Sequence, residues 1–444
     1  MPASPIDSAI YSKMFGSPET ARLFTDSAEV RAMMLALGAL AKVQGQIGLI
    51  PQVSGEAIHR ASMELQIDPA ALADGSATSA VPLPALVTAF RDAMQAPEHA
   101  QYIHWGATSQ DIIDTALALR LRQSMTILGD QLAGTCSALA GLAETHADLP
   151  MAGRTWGQVA VPTSFGAIVA EWGRPLLRQR TRFEAVRADV AKVSLSGAAG
   201  TLSAMGAEGP RIRSALADAL GLADPGASWH SQRDGIALLA GWLTVTTGML
   251  AKMGEDIAFL AASGIGELRL SGTGGSSTMP QKANPVAPNL LIAIGRQTSA
   301  LNTAIQSALA HRLERDGASW MTEWLSLPQL VQLASRALAG AEELARTLQP
   351  NPDAMAQNID DGSGLIFAEA LTFRLARTMP RPEAAAAVRE MAMQARRDNG
   401  SLKELARQTC PDQDLTGVFD AAAQLGQAPR EARDFAAAVR KTGN

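Results

Sequence analysis

The sequence predicts an all-α protein of three helical domains, the middle one a bundle of long helices. Three observations carry this. Alanine and leucine are abundant, while Phe, Trp and Tyr together make up only 4% of the 444 residues, a bias towards helix over strand. Long stretches run with few helix breakers. One of them, 234–263, repeats apolar residues at alternating spacings of three and four, the seam of a packed helix.

Taken in order, the elements follow from their punctuation. Ala28 to about Leu49 reads as a helix closed by Gly48 and Pro51. Short helices follow, broken by Pro69, Pro82, Pro84 and Pro97. Asp111 to His146 is a long helix, and Phe165 to about Val193 another, with Pro175 as a kink. Asp234 to Ser263 carries the seam Ile236, Leu239, Leu243, Thr246, Leu250, Met253, Ile257 and Leu260. At 1.5 Å per residue it spans roughly 45 Å. Leu238, Trp242, Val245 and Phe259 lie off the seam, so this helix has to be covered on several sides, as in a bundle that assembles with other subunits. Pro288 to about Arg315 is expected to be a further long helix. A break follows Thr347, then shorter helices. The expected domains are 1–107, 108–347 and 348–444. No set of period-2 strands and no solenoid repeat is visible.

Composition sets the class. Hydrophobic residues are 47% and the net charge is −5 with both signs interspersed. That predicts a folded globular chain and no nucleic-acid partner. Two cysteines, Cys136 and Cys410, make no disulfide framework, so a reduced, cytoplasmic location is expected. The N-terminus shows no signal peptide. Gly235 to Ala251 is uncharged but short of the ~20 apolar residues a span needs. It is expected to be a buried core helix, with no membrane partner.

The sharpest local feature is Ser271 to Pro285, SGTGGSSTMPQKANP. Three glycines, three serines, two threonines and two prolines make a loop between two long helices. Such a loop is either a plain connector or a lid over a ligand, and its backbone N–H groups and Lys282 suit an anion. No metal-ligand spacing, Walker loop or dinucleotide fingerprint is present.

GSSTMPQKANP resembles the GSSxMPxKxNP signature of the fumarase/aspartase superfamily. Two further segments resemble the same family in the expected order: IHWGATSQD (Ile103 to Asp111) and GRTWGQVAVPT (Gly153 to Thr163). The resemblance covers essentially the whole chain. It implies an enzyme that removes a proton from the carbon beside a carboxylate and expels a group from the next carbon, through a carbanion delocalised into the carboxylate. By motif position Ser276 is the catalytic base. Lys282 stabilises the developing charge, as an oxyanion hole does. Asn284, Thr108, Ser109, Thr155 and Gln158 are implied to bind substrate. The family also implies no metal or organic cofactor, and a homotetramer whose sites are shared between subunits.

Two departures carry more information. Lyases of this family have a histidine where this chain has Trp156, and a glutamate where it has Asn289. That pair assists the leaving group. A carboxylate leaving group, with a conjugate-acid pKa of about 4, needs no such help. A lactone opening has this kind of leaving group. GRTW and SWHSQRD (Ser228 to Asp234) resemble the carboxymuconate cycloisomerase branch. They imply interconversion of a tricarboxylate, 3-carboxy-cis,cis-muconate, and 4-carboxymuconolactone in protocatechuate catabolism. The alternatives are a C–N lyase of the adenylosuccinate or argininosuccinate type, releasing fumarate, and a scaffold without activity.

Among the remaining candidates, His104 either contacts substrate or holds its own motif together. His230 either reaches the site of a neighbouring subunit or is a polar turn residue. Trp156 is taken as a substrate contact. Arg315 resembles a substrate-binding arginine in an E-R-D element, and a tricarboxylate needs several such cations. Arg233 and Arg154 are weaker candidates, Arg154 being equally suited to an ion pair. His311 reads as a dipole partner at a helix end, His146 as structural, His59 and His99 as surface residues, and Cys136 as core.

Overall fold

The computed structural model describes residues 4–271, 274–275, 279 and 282–442. Among these it has eighteen α-helices and six short strands, so the chain is all-α in class. The long helices are Asp26–Ile47, Ser109–Thr145, Phe165–Val190, Asp234–Leu260, Val286–Ser307 and Gly317–Thr347.

Their ends follow from local chemistry. Thr25 caps the Asp26–Ile47 helix by accepting the N–H of Ala28 at 3.2 Å. Gly48, at φ +89°, closes it in the left-handed conformation that only glycine adopts without cost. Pro175 lies inside Phe165–Val190 without ending it. The apolar window of Asp234–Leu260 is long and hydrophobic enough to cross a membrane by length and composition, yet 56% of it is buried inside the structure. Leu239, Leu243, Leu250, Met253 and Ile257 are fully covered.

Two expectations are corrected. The helix expected to reach Arg315 stops at Ser307. Asp316 is the reason: its carboxylate accepts the N–H groups of Ala318 (3.0 Å) and Ser319 (3.3 Å). It thereby starts the Gly317–Thr347 helix and leaves 308–316 as a loop. Arg312 holds Asp316 well below the usual carboxylate range. The second correction is a strand pair. β1 (Pro150–Thr155) and β2 (Gln158–Ser164) form an antiparallel hairpin with a register shift between Ala152 and Arg154. That bulge breaks the alternation a sequence reading looks for.

The chain divides into two compact units. The first comprises 1–131, 179–247 and 294–336. Its core is built around Met33, Leu37, Leu40, Ile58, Leu86, Phe90 and Ile112. The second comprises 132–178, 248–293 and 337–444 and includes the hairpin. A small core packs around Leu371, Leu375, Val388 and Leu402.

Candidate active site

In the first unit, the segment Ile103 to Asp111 runs into the N-terminus of the Ser109–Thr145 helix. Helix N-termini attract anions through free N–H groups and the helix dipole, which suits Thr108 and Ser109 to a substrate carboxylate. Both are half-buried. Asp111 sits in the first helical turn and organises the region. Its carboxylate accepts the N–H of Thr108 at 2.9 Å, an N-terminal box closing back on the helix start. It also accepts the N–H groups of Ser196 (2.8 Å) and Gly197 (3.0 Å). Nε2 of His230 lies 2.8 Å from the same carboxylate. With three N–H groups already on Asp111, its oxygens accept, so Nε2 of His230 carries the hydrogen.

The structure thus places His230 inside, 2% exposed, against segment one of its own chain. The sequence reading passed over both Asp111 as an organiser and the 194–202 turn it holds. The available signal was a carboxylate three residues after Thr108, the box position.

His104 precedes the same helix at φ +66°. Burial lowers its pKa from 6.5, with Arg91 adding to the effect and Thr108 and Asp111 opposing it. Its Nε2 is buried and meets no partner among the described residues. His104 is therefore neutral at pH 7. The unfolded chain binds the proton more readily, so the stabilising contribution is complete above 6.5 and is lost as pH falls towards the lower folded value. Proton NMR titration of the His104 ring is expected to show a midpoint below 6.5. A midpoint at or above it contradicts this reading.

Arg233 is 2% exposed and lies between two carboxylates. It donates to Glu323 at 2.9 and 2.5 Å and to Asp114 at 2.8 Å. Burial opposes its charge, but the two acids outweigh burial and raise its pKa. The side chain of His311 is also buried, 3.6 Å from Glu323. It belongs to this cluster and not to a helix end. Arg315, itself exposed on the 308–316 loop, donates from Nε to Gln110 Oε1 at 2.8 Å and from Nη2 to the Ala198 carbonyl at 3.2 Å. Segment one, the 194–202 turn, the 228–234 element and Arg315 are thus brought together within one unit.

In the second unit, Thr155 pairs with Gln158 across the hairpin turn formed by Trp156 and Gly157. Both turn residues have positive φ, +55° and +75°, as a two-residue type I′ turn demands. Glycine suits that conformation and tryptophan does not. Trp156 is 100% exposed in the single chain, and Thr155 and Gln158 are exposed beside it. Arg154, at the base of the turn, forks onto the buried Glu267 at 2.9 and 2.6 Å, so its guanidinium is used by an ion pair. Lys282 is exposed, and its backbone N–H donates to the Met279 carbonyl at 3.0 Å. Asn284 lies in β4 (Ala283–Asn284), which pairs with β3 (Gly274–Gly275). Ser276 falls outside the described residues. Asn289 is exposed on the first turn of Val286–Ser307.

The fold and these segments define an enzyme of the lyase/isomerase type. A lyase family model matches residues 15–299, and the chain belongs to that family, within the fumarase/aspartase superfamily. It is 35% identical over 410 residues to a 3-carboxy-cis,cis-muconate cycloisomerase of Acinetobacter baylyi, covering 90% of each chain. It is 36% identical over 420 residues to the enzyme of that name from Pseudomonas aeruginosa, covering 91% of each. The crystal structure of a 3-carboxy-cis,cis-muconate lactonizing enzyme from Pseudomonas putida superposes with a TM-score of 0.93 at 31% identity. That match covers 98% of this chain and 100% of the other.

Proposed function

We propose that the protein interconverts 3-carboxy-cis,cis-muconate and 4-carboxymuconolactone, a step of protocatechuate breakdown. The observation that carries this is the double replacement of the lyase pair by Trp156 and Asn289. Without that pair, expulsion of a strongly basic amine or hydroxide lacks its proton donor. A carboxylate leaves unaided. The muconate-named relatives support the same choice of chemistry.

In the lactone-forming direction a carboxylate oxygen bonds to the conjugated carbon. The electron pair moves onto the carbon beside a second carboxylate, which becomes an enolate. Ser276 then delivers a proton to that carbon. A bare serine is a poor acid or base, so it relies on the positive field of Lys282 and loop N–H groups. Thr108 and Ser109 at a helix N-terminus, Asn284, Thr155, Gln158 and Arg315, drawn from different subunits, hold the three carboxylates, with His104 and Trp156 lining the site and the buried His230 steadying Asp111.

The working form is a homotetramer with shared sites. Two features support this. Leu238 and Val245 on the Asp234–Leu260 helix are 54% and 46% exposed in the single chain. The second segment presents Trp156, Val159 and Val161 at an exposed hairpin tip. Exposed apolar side chains on a long helix and at a hairpin tip are what a subunit interface would cover.

The test is proton NMR of the product formed from 3-carboxy-cis,cis-muconate, with no added metal. Loss of the open-chain diene resonances is expected, with lactone methylene and ring-vinyl resonances appearing in their place. An unchanged spectrum rejects the proposal.

A further inference from the structure

We propose that Gln110 is a positioning residue that aims the Arg315 guanidinium at a substrate carboxylate. The proposal rests on the reading of Arg315 as a carboxylate ligand.

Gln110 is fully buried, and its amide is held at both ends. Nε2 donates to the His230 carbonyl at 3.0 Å and to Asp114 at 3.2 Å. Oε1 accepts Nε of Arg315 at 2.8 Å. A flipped amide would turn its oxygen onto two acceptors and its N–H groups onto an N–H donor, so the partners fix the orientation. Asp114 is itself fixed, by Arg233 at 2.8 Å and by the indole N–H of Trp320 at 3.2 Å. A rigid relay therefore runs from buried Arg233 through Asp114 and Gln110 to Arg315.

Arg315 needs this relay. It sits on the irregular 308–316 stretch and is exposed, where a long side chain loses rotamer freedom on binding. Gln110 takes the Nε hydrogen and the Ala198 carbonyl takes one Nη2 hydrogen. The remaining Nη donors form an edge for a carboxylate. Gln110 pre-orients that edge without neutralising its charge, which a glutamate there would do.

The test is calorimetric binding of propane-1,2,3-tricarboxylate, an unreactive tricarboxylate, to the assembled protein. Gln110→Met keeps the side-chain volume, and Gln110→Leu serves if the first variant does not fold. Gln110→Met is expected to weaken binding about 10-fold, with an unchanged melting temperature within a few degrees. Arg315→Gln is expected to weaken it at least as much. The double variant is expected to be no weaker than Arg315→Gln within about 2-fold, because the two residues act as one unit. With carboxymuconate, Gln110→Met is expected to raise KM by a similar factor and leave kcat within about 3-fold. Losses that multiply, wild-type affinity in Gln110→Met, or no binding by the wild type overturn the proposal. Coupled losses in a protein that fails to turn over carboxymuconate would instead reject only the proposed substrate.

Discussion

Replacing Ser276 by alanine is expected to reduce turnover by at least about 10²–10⁴-fold, the usual worth of a positioned proton donor or acceptor. The change removes one oxygen from a loop whose other chemistry, Lys282 and Asn284, is untouched. The helical circular-dichroism signal and the sedimentation behaviour are therefore expected to match the wild type. This separation matters because the assignment of Ser276 rests on its place in GSSTMPQKANP, the residue itself lying outside the described structure. Full activity in Ser276→Ala would remove it from its role. Loss of assembly would show instead that the loop has a structural task.

Asp111→Ala is expected to damage both stability and activity. The carboxylate is buried and satisfies three backbone N–H groups and one imidazole. Its removal leaves several buried donors unpaired, each costing about 1–3 kcal/mol. Partial relaxation and water entry limit the total to about 3–5 kcal/mol. Because Asp111 ties the helix start at Thr108 to the turn at Ser196 and Gly197, the backbone around the proposed carboxylate-binding Thr108 and Ser109 is released as well. Urea denaturation should show the loss in the unfolding midpoint, and kcat/KM should fall by at least 10²-fold, roughly the effect of a small misplacement in a site. A midpoint shift worth less than about 1 kcal/mol would mean that Asp111 is not the organiser described above.

The helices were legible because their ends are punctuated. Gly48, Pro69, Pro97 and the breaker-poor runs in 111–146 and 234–263 place them within a few residues of where they lie. The helix after Val286 was overextended because 308–315 contains good helix formers. The capping carboxylate of Asp316 decides otherwise, and nothing in its neighbours forces that reading. The hairpin escaped because its bulge interrupts the period of two, and because Trp156 occupies a turn position that favours Asn or Gly.

The candidate site was legible as motifs and not as contacts. The residues of the three segments stand out by spacing and resemblance. The partnerships that hold them do not. Asp111 with His230 joins positions 119 apart in sequence, and Arg315 with Gln110 joins positions 205 apart. Arg233 illustrates the difference. As a cation in a motif it invites a substrate, whereas its burial between Asp114 and Glu323 makes it the base of a relay. His311 shows the same effect: a residue expected at a helix end is instead packed against Glu323.

The central claim is that loss of the histidine–glutamate pair, at Trp156 and Asn289, marks a reaction whose leaving group is a carboxylate. The most direct test is ultraviolet absorbance of the purified protein with 3-carboxy-cis,cis-muconate, run beside adenylosuccinate and argininosuccinate without added metal or cofactor. The account predicts loss of the diene absorbance with matching lactone formation, and no fumarate from either succinate. Fumarate release with an unchanged diene would contradict it, and would show that a strongly basic group can leave this site without the missing pair.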